Sequence, residues 1–171
     1  MTARYAAIAF ALLLGACAIA PQPRPLPELA GVPDAFEVSG RLALRMGDRS
    51  EIAKLRWTHR PGADLWVISS PLGSEVARIE SDPSGATLTQ AGGGGAQADS
   101  FAELTERALG VALDPAALAR WLHGGEASLS SGWTVKVEET QKAGAIEVAR
   151  RISAQRGDVV VRLVVDEYRA L

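Results

Sequence analysis

The chain predicts a mainly β fold: an antiparallel, strongly curved sheet whose concave side is covered by two inserted helices. Three observations predict it. Short segments of alternating apolar and polar residues recur between turns rich in Gly, Pro and Asp, two capped amphipathic helical segments follow, and alternation then resumes towards the C-terminus.

The first strand is Phe36-Glu37-Val38-Ser39-Gly40-Arg41-Leu42-Ala43-Leu44, with Met46 to Asp48 as the turn. Glu51 to Thr58 forms the second, placing Ala53, Leu55 and Trp57 on one side and Lys54 and Arg56 on the other. Arg60-Pro61-Gly62 closes that hairpin. In the third, Asp64 to Ser69, Trp66 and Ile68 face away from Leu65 and Val67. A fourth runs from Glu75 to Ser81, ending at Asp82-Pro83-Ser84-Gly85, and a fifth from Ala86 to about Gln90. Gly92-Gly93-Gly94-Gly95 lacks the following Lys-Ser or Lys-Thr of a phosphate loop and is expected to be a mobile loop.

Asp99 or Ser100 caps the first helix, which carries Phe101, Leu104, Ala108 and Leu109 on one face and ends at Gly110. The second starts at Asp114 with Pro115 in its first turn, shows a stripe of Leu118, Trp121 and Leu122, and stops at Gly124. Strands return at Trp133 to Glu138, Ile146 to Ala154 and Val159 to Asp166, about eight in all. The last is apolar on both faces and is expected to be covered on both.

Ahead of this domain, Arg4 and the apolar run from Ala6 to Leu14 make a secretion signal too short to span a bilayer. It ends in Leu14-Gly15-Ala16-Cys17, which resembles the bacterial lipoprotein lipobox. That resemblance implies a thioether-linked diacylglycerol on Cys17, cleavage before it and acylation of the new amino terminus. Cys17 is the single Cys, and an unpaired thiol in an oxidising compartment is otherwise a liability. Ala18, where an Asp would favour the inner membrane, points to the outer membrane. Pro21, Pro23, Pro25, Pro27 and Pro33 then favour an extended tether. The chain divides into a signal at 1–16, a lipidated tether at 17–34 and one domain at 35–171.

Among 171 residues the net charge is -2, which offers no basic surplus for nucleic acid. Catalytic chemistry has few candidates. His59 and His123 are the only histidines, and both read as structural or solvated; no Gly-x-Ser-x-Gly elbow, metal-ligand motif or paired-carboxylate pattern is present, so neither an enzyme, a metal nor a cofactor is expected. More distinctive is Ser69-Ser70-Pro71-Leu72-Gly73-Ser74-Glu75. Pro71 and Gly73 define a turn with Leu72 at its tip, either folded back onto the sheet or offered to a membrane.

Phe36-Glu37-Val38-Ser39-Gly40-Arg41-Leu42, Trp57, Ser69-Ser70-Pro71-Leu72-Gly73, Leu118-Ala119-Arg120-Trp121-Leu122-His123-Gly124 and Gly132-Trp133-Thr134-Val135 stand in the order that marks the LolB family of outer-membrane lipoprotein receptors. The resemblance runs from Cys17 to the C-terminus. It implies an antiparallel half-barrel with a helical lid over an apolar cavity, loaded with lipoprotein acyl chains by the periplasmic carrier LolA, in a monomer that works at the membrane lipids. It also implies that Pro71, Leu72 and Gly73 form a protruding loop whose Leu acts in delivery. Under that reading Leu42, Leu44, Leu55, Trp57, Trp66, Ile68 and Ile79 from the sheet, with Leu118, Trp121 and Leu122 from the helices, contribute to the cavity. The alternative is an outer-membrane lipoprotein with a structural or assembly role, in which the same residues are a filled core. The segment between Gly124 and Trp133 is shorter than the family's usual one, which implies a shorter sheet at that edge.

Overall fold

The computed structural model describes residues 33–125 and 132–171 of the chain, so the signal, Cys17, most of the tether and all but the two ends of the shortened 125–132 segment lie outside the described residues. Nine strands and two helices follow in the order β1 Phe36–Met46, β2 Arg49–Arg60, β3 Ala63–Ser69, β4 Glu75–Asp82, β5 Gly85–Gln90, β6 Gly95–Ala98, α1 Phe101–Leu109, α2 Pro115–Leu122, β7 Thr134–Ala143, β8 Ile146–Arg156 and β9 Val159–Ala170. All strands join one antiparallel sheet in the spatial order β6-β5-β4-β3-β2-β1-β9-β8-β7.

Alternation decides which face is covered. Phe36, Val38, Leu44, Leu55, Trp57, Trp66, Ile79, Ala86, Leu88, Ile152, Ala154, Val161 and Leu163 are buried in one cluster, and both helices lie on that side of the sheet. α1 packs on β4, β5 and β6, whereas α2 packs on β8, so the two helices share the length of the apolar face between them.

Each helix is short, and its ends are defined chemically. The Ser100 hydroxyl accepts the Glu103 N–H, the Glu103 carboxylate accepts the Asp99 N–H, and Gly110 closes α1 at φ 75°. The Asp114 carboxylate accepts the Ala116 N–H ahead of α2, where Pro115 needs no N–H partner. Thr105, buried in α1, donates to the Phe101 and Ala102 carbonyls and accepts the Leu113 N–H, which ties the interhelical link back to α1.

Five expectations are corrected. The glycine cluster is not a loop throughout: Gly93 and Gly94, both at positive φ, make a turn closed by hydrogen bonds with Gln90, and Gly95 begins a ninth strand. A four-residue strand without a large apolar side chain leaves no periodic signal. Ala108 is exposed; the buried face of α1 is Phe101, Leu104 and Thr105, with Leu109 at its margin. Met46 belongs to β1 and not to the turn, and β7 continues to Ala143. Finally, β9 is buried on both faces only near its start, where Val160 and Val161 are both buried; beyond them Arg162 is exposed and Val164 half-buried on the outer face.

Gly40 sits where the β1–β9 register shifts, so that Asp166 is an extra residue on β9. A Cβ on Gly40 would lie 2.1 Å from the Val164 carbonyl oxygen, against backbone that cannot turn aside. Gly40→Ala is expected to lower unfolding stability by about 1–3 kcal/mol in urea titration. Gly92→Ala, with no atom within 4 Å of the added Cβ, should be close to neutral in the same measurement.

Candidate functional site

Two features invite a functional reading, and they lie at one end of the sheet and along its covered face. The first is the β3–β4 connection. Ser70 and Ser74 are joined by a backbone hydrogen bond of 2.8 Å from the Ser70 N–H to the Ser74 carbonyl, and the Gly73 N–H donates to the Ser70 carbonyl at 2.8 Å. Gly73 has φ 96°, a conformation in which an L side chain is strained, and Pro71 restricts the other flank. The tip residue between them, Leu72, is 96% exposed. Burying a Leu fully stabilises a fold by roughly 1.5–3 kcal/mol, so the turn holds this side chain where the domain gains nothing from it. At its base, Arg78 donates from Nε and Nη2 to the two carboxylate oxygens of Glu75, both at 3.1 Å, bracing the start of β4.

The second feature is the covered face. Leu44, Leu55, Trp57, Trp66, Ile79, Leu118, Trp121 and Leu122 are buried in a single cluster, with Leu42 and Ile68 half-buried against it. The structure therefore brings together all ten residues expected to line a cavity, and packs them against one another. Trp66 contributes a buried indole N–H that has no hydrogen-bond partner among the described residues. Such a donor costs roughly 1–3 kcal/mol when left unpaired. A groove of about 890 Å³ lies elsewhere, at the sheet end away from Leu72, and its wall includes Arg60, Asp64, Glu80, Asp82, Asp99 and Arg107. Charged walls of that kind do not suit a hydrocarbon chain.

Both histidines sit at the end of the covered face away from Leu72, in an aromatic and polar cluster. The Asp64 Oδ1 accepts the Trp57 indole N–H at 2.7 Å and lies 2.8 Å from His59 Nδ1. Phe36 stacks on His59 and Tyr168 and meets Trp57 and His123 edge-on. His123 ends α2. Its Nδ1 is 2.7 Å from the Ala119 carbonyl, which can only accept, so Nδ1 carries the proton and Nε2 is free to accept the Tyr168 hydroxyl at 2.9 Å. Burial lowers the His123 pKa, the Ala119 hydrogen bond opposes that, and nearby His59 lowers it further. Burial pushes the Tyr168 hydroxyl up to about 12. The sequence reads both histidines as structural or solvated; here both are packed and hydrogen-bonded, in a cluster whose other members that reading does not name. Residues 59 and 64 are opposed across a hairpin turn at Pro61-Gly62, so strand register could have paired them; His123 and Tyr168 are too far apart in the chain for any local pattern.

Comparison with known proteins follows the same residues. The family model described as Outer membrane lipoprotein LolB matches residues 34–168. The Outer-membrane lipoprotein LolB of Chromobacterium violaceum is 32% identical over 182 residues, covering 99% of this chain and 100% of that protein. Its counterpart in Thiobacillus denitrificans is 33% identical over 189 residues, covering 98% of each, and that of Azoarcus sp. is 30% identical over 178 residues, covering 93% and 91%. Among solved structures, a LolA superfamily protein from Nitrosomonas europaea overlaps 84% of this chain and 89% of its own at TM-score 0.46 and 7% identity, a likeness too loose to argue from.

A histidine whose folded pKa is below its ordinary 6.5 takes up a proton on unfolding. Its contribution to stability is whole above that value and is lost as pH falls beneath it. Urea midpoints are therefore expected to decline as pH drops from 6.5, and the decline should be shallower in His123→Asn, which keeps a donor for the Ala119 carbonyl but does not titrate.

Proposed function

The chain belongs to the outer-membrane lipoprotein LolB family, and from that premise we propose that it is the receptor that takes acylated lipoproteins from the periplasmic carrier LolA, holds their acyl chains on its apolar covered face and inserts them into the outer membrane. The family is non-enzymatic and outer-membrane, so what needs explanation is transfer without chemistry.

The observation that carries the reading is Leu72, an aliphatic side chain kept 96% exposed by a turn with its own hydrogen bonds. In water that placement brings no benefit, whereas at a bilayer surface the side chain gains apolar contact. Cargo supplies the other half of the argument. Each acyl methylene brought into water costs about 0.8 kcal/mol, so chains must pass from one apolar surface to another. Here the inner face offers such a surface, with Leu42 and Ile68 at its half-buried margin and Trp66 presenting an unpaired donor suited to an ester carbonyl. Because its side chains are packed together, α1 and α2 must lift from the sheet to admit cargo. Cys17, acylated, holds the receptor in the membrane, and the proline tether keeps that anchor away from the receptor's own binding face.

A filled core supports the second reading, a structural outer-membrane lipoprotein. Mixing the protein with a fluorescent fatty acid separates the two: saturable binding displaced by acylated lipoprotein supports the receptor, and no binding leaves the structural role.

Leu72→Glu is expected to preserve folding and fatty-acid binding yet reduce insertion of labelled lipoprotein into membranes by about tenfold or more, the ratio for losing at least ~1.4 kcal/mol of apolar contact. Equal insertion by the variant and the wild type would refute the role of the turn. Cys17→Ala should abolish palmitate incorporation and release the protein from the membrane fraction in cell fractionation.

A further inference from the structure

The net charge of -2 conceals an uneven distribution. On the sheet face opposite the helices, strands β2, β1 and β9 lie side by side, and their outward residues form a grid fixed by register. Ser50, Arg45 and Val160 make one row, Ile52, Ala43 and Arg162 the next, and Lys54, Arg41 and Val164 a third. Arg56, opposite Ser39, continues the column below Lys54. Arg45, Lys54, Arg56 and Arg162 are exposed and none forms an ion pair with a described residue; Arg41 is paired with Asp166 at 3.1 Å. Acidic residues enter the grid only at its lower border, with Asp166 and Glu167. The opposite end of the sheet carries charges of both signs, with Arg60 and Arg107 beside Glu80, Asp82 and Asp99 around the polar groove, whereas the cations of the grid stand towards the end at which Leu72 protrudes.

Ile52 stands within this basic grid and is 63% exposed, because the register that turns Leu55 and Trp57 inward turns it outward. It lies just beyond Lys54, the residue paired with Ser69, and hence beside the point at which the Ser70–Ser74 turn leaves the sheet. Val76, the extra residue where the β3–β4 register shifts, is 43% exposed at the other foot of that turn. Three exposed aliphatic residues therefore share one end with a set of unpaired cations. Apolar points among Lys and Arg match a bilayer interface, where aliphatic groups reach the acyl boundary and cations meet phosphates.

We propose that the outward β2–β1–β9 face, with Ile52 and Leu72 as its apolar points and Arg45, Lys54, Arg56 and Arg162 as its cations, docks on a bilayer surface bearing anionic phospholipid headgroups. Docking sets how the anchored domain lies on the membrane: sheet down and helices up, towards the periplasm from which cargo arrives. The inference rests on the outer-membrane location and not on cargo transfer.

The test uses the full-length acylated protein in vesicles of phosphatidylcholine with or without phosphatidylglycerol. Ser50→Cys places a thiol on the grid, with Cys17 as the sole other cysteine, and a fluorophore there reports quenching by nitroxide-labelled headgroups. Strong quenching is expected only with phosphatidylglycerol. High salt should relieve it, and the docked-to-free ratio should fall about fivefold for each charge removed by Lys54→Gln or Arg162→Gln. The cations are exposed, so unchanged thermal unfolding confirms that the variants fold. Equal quenching in both vesicle types, or in the charge-removed variants, overturns the proposal; absence of quenching in every vesicle also overturns it and leaves the face to an acidic protein partner. Failure of the protein with its cations intact to dock, alongside intact lipoprotein insertion, refutes this inference alone, and intact docking without fatty-acid binding refutes the receptor reading alone.

Discussion

A row of aromatic rings holds the sheet and helices to each other. Phe36 on β1 meets Trp57 on β2 at 4.9 Å between centroids, Trp57 meets Trp66 on β3 at 5.8 Å, and Trp66 meets Phe101 at the start of α1 at 4.9 Å. Edge-on and tilted contacts of this kind add about 0.5–1.5 kcal/mol each beyond the burial of the rings. The row crosses three strands before reaching a helix, so it sets the position of α1 over the sheet. Two helices of nine and eight residues would be marginal in isolation and owe their stability to this face. Any ligand entering the inner face would therefore compete with the contacts that keep the helices in place.

Polar groups close one end of that face. Asp64 receives Trp57 and His59, and His123 bridges the end of α2 to Tyr168 on β9. These bonds satisfy the polar edges of rings that are otherwise buried, which lets large aromatic residues pack without leaving donors unpaired. Trp66 is the exception among the described residues: it is paired across the strands with Trp57, yet its own indole N–H reaches none of these polar groups. The covered face thus has a polar, hydrogen-bonded end and an end at which the protein presents aliphatic side chains to its surroundings.

Much of this was legible in the sequence because period and capping are local. Leu55 and Trp57, or Trp66 and Ile68, declare a shared face by two-residue spacing, and Asp114-Pro115 declares a helix start by the chemistry of an orphan N–H. What escaped depended on partners. Gly95-Ala96-Gln97-Ala98 becomes a strand only because β5 offers it a ladder, and Ala108 faces solvent because the orientation of α1 is set by Phe101 and Leu104. The protrusion of Leu72 was ambiguous for the same reason: turn chemistry specifies a tip, while its direction depends on the strands below it. The proximity of Ile52 to that turn emerged only with register.

The sheet is open among the described residues, with β6 and β7 at its edges, and neither edge is a plain strand. β6 is four residues long, and Arg107 from α1 donates to the Gln97 carbonyl along it. β7 is longer, but its register with β8 shifts on both sides of Glu139, and Lys136, Glu138 and Lys142 stand along it. Short length, irregular pairing and charge are the means by which sheets avoid recruiting neighbouring strands. For a molecule tethered to a surface this has a particular weight. Tethering confines copies to a plane and gives them a common orientation, so their lateral collisions bring like edges together far more often than tumbling in three dimensions would. Edges that cannot zip keep such a crowded two-dimensional population as separate molecules.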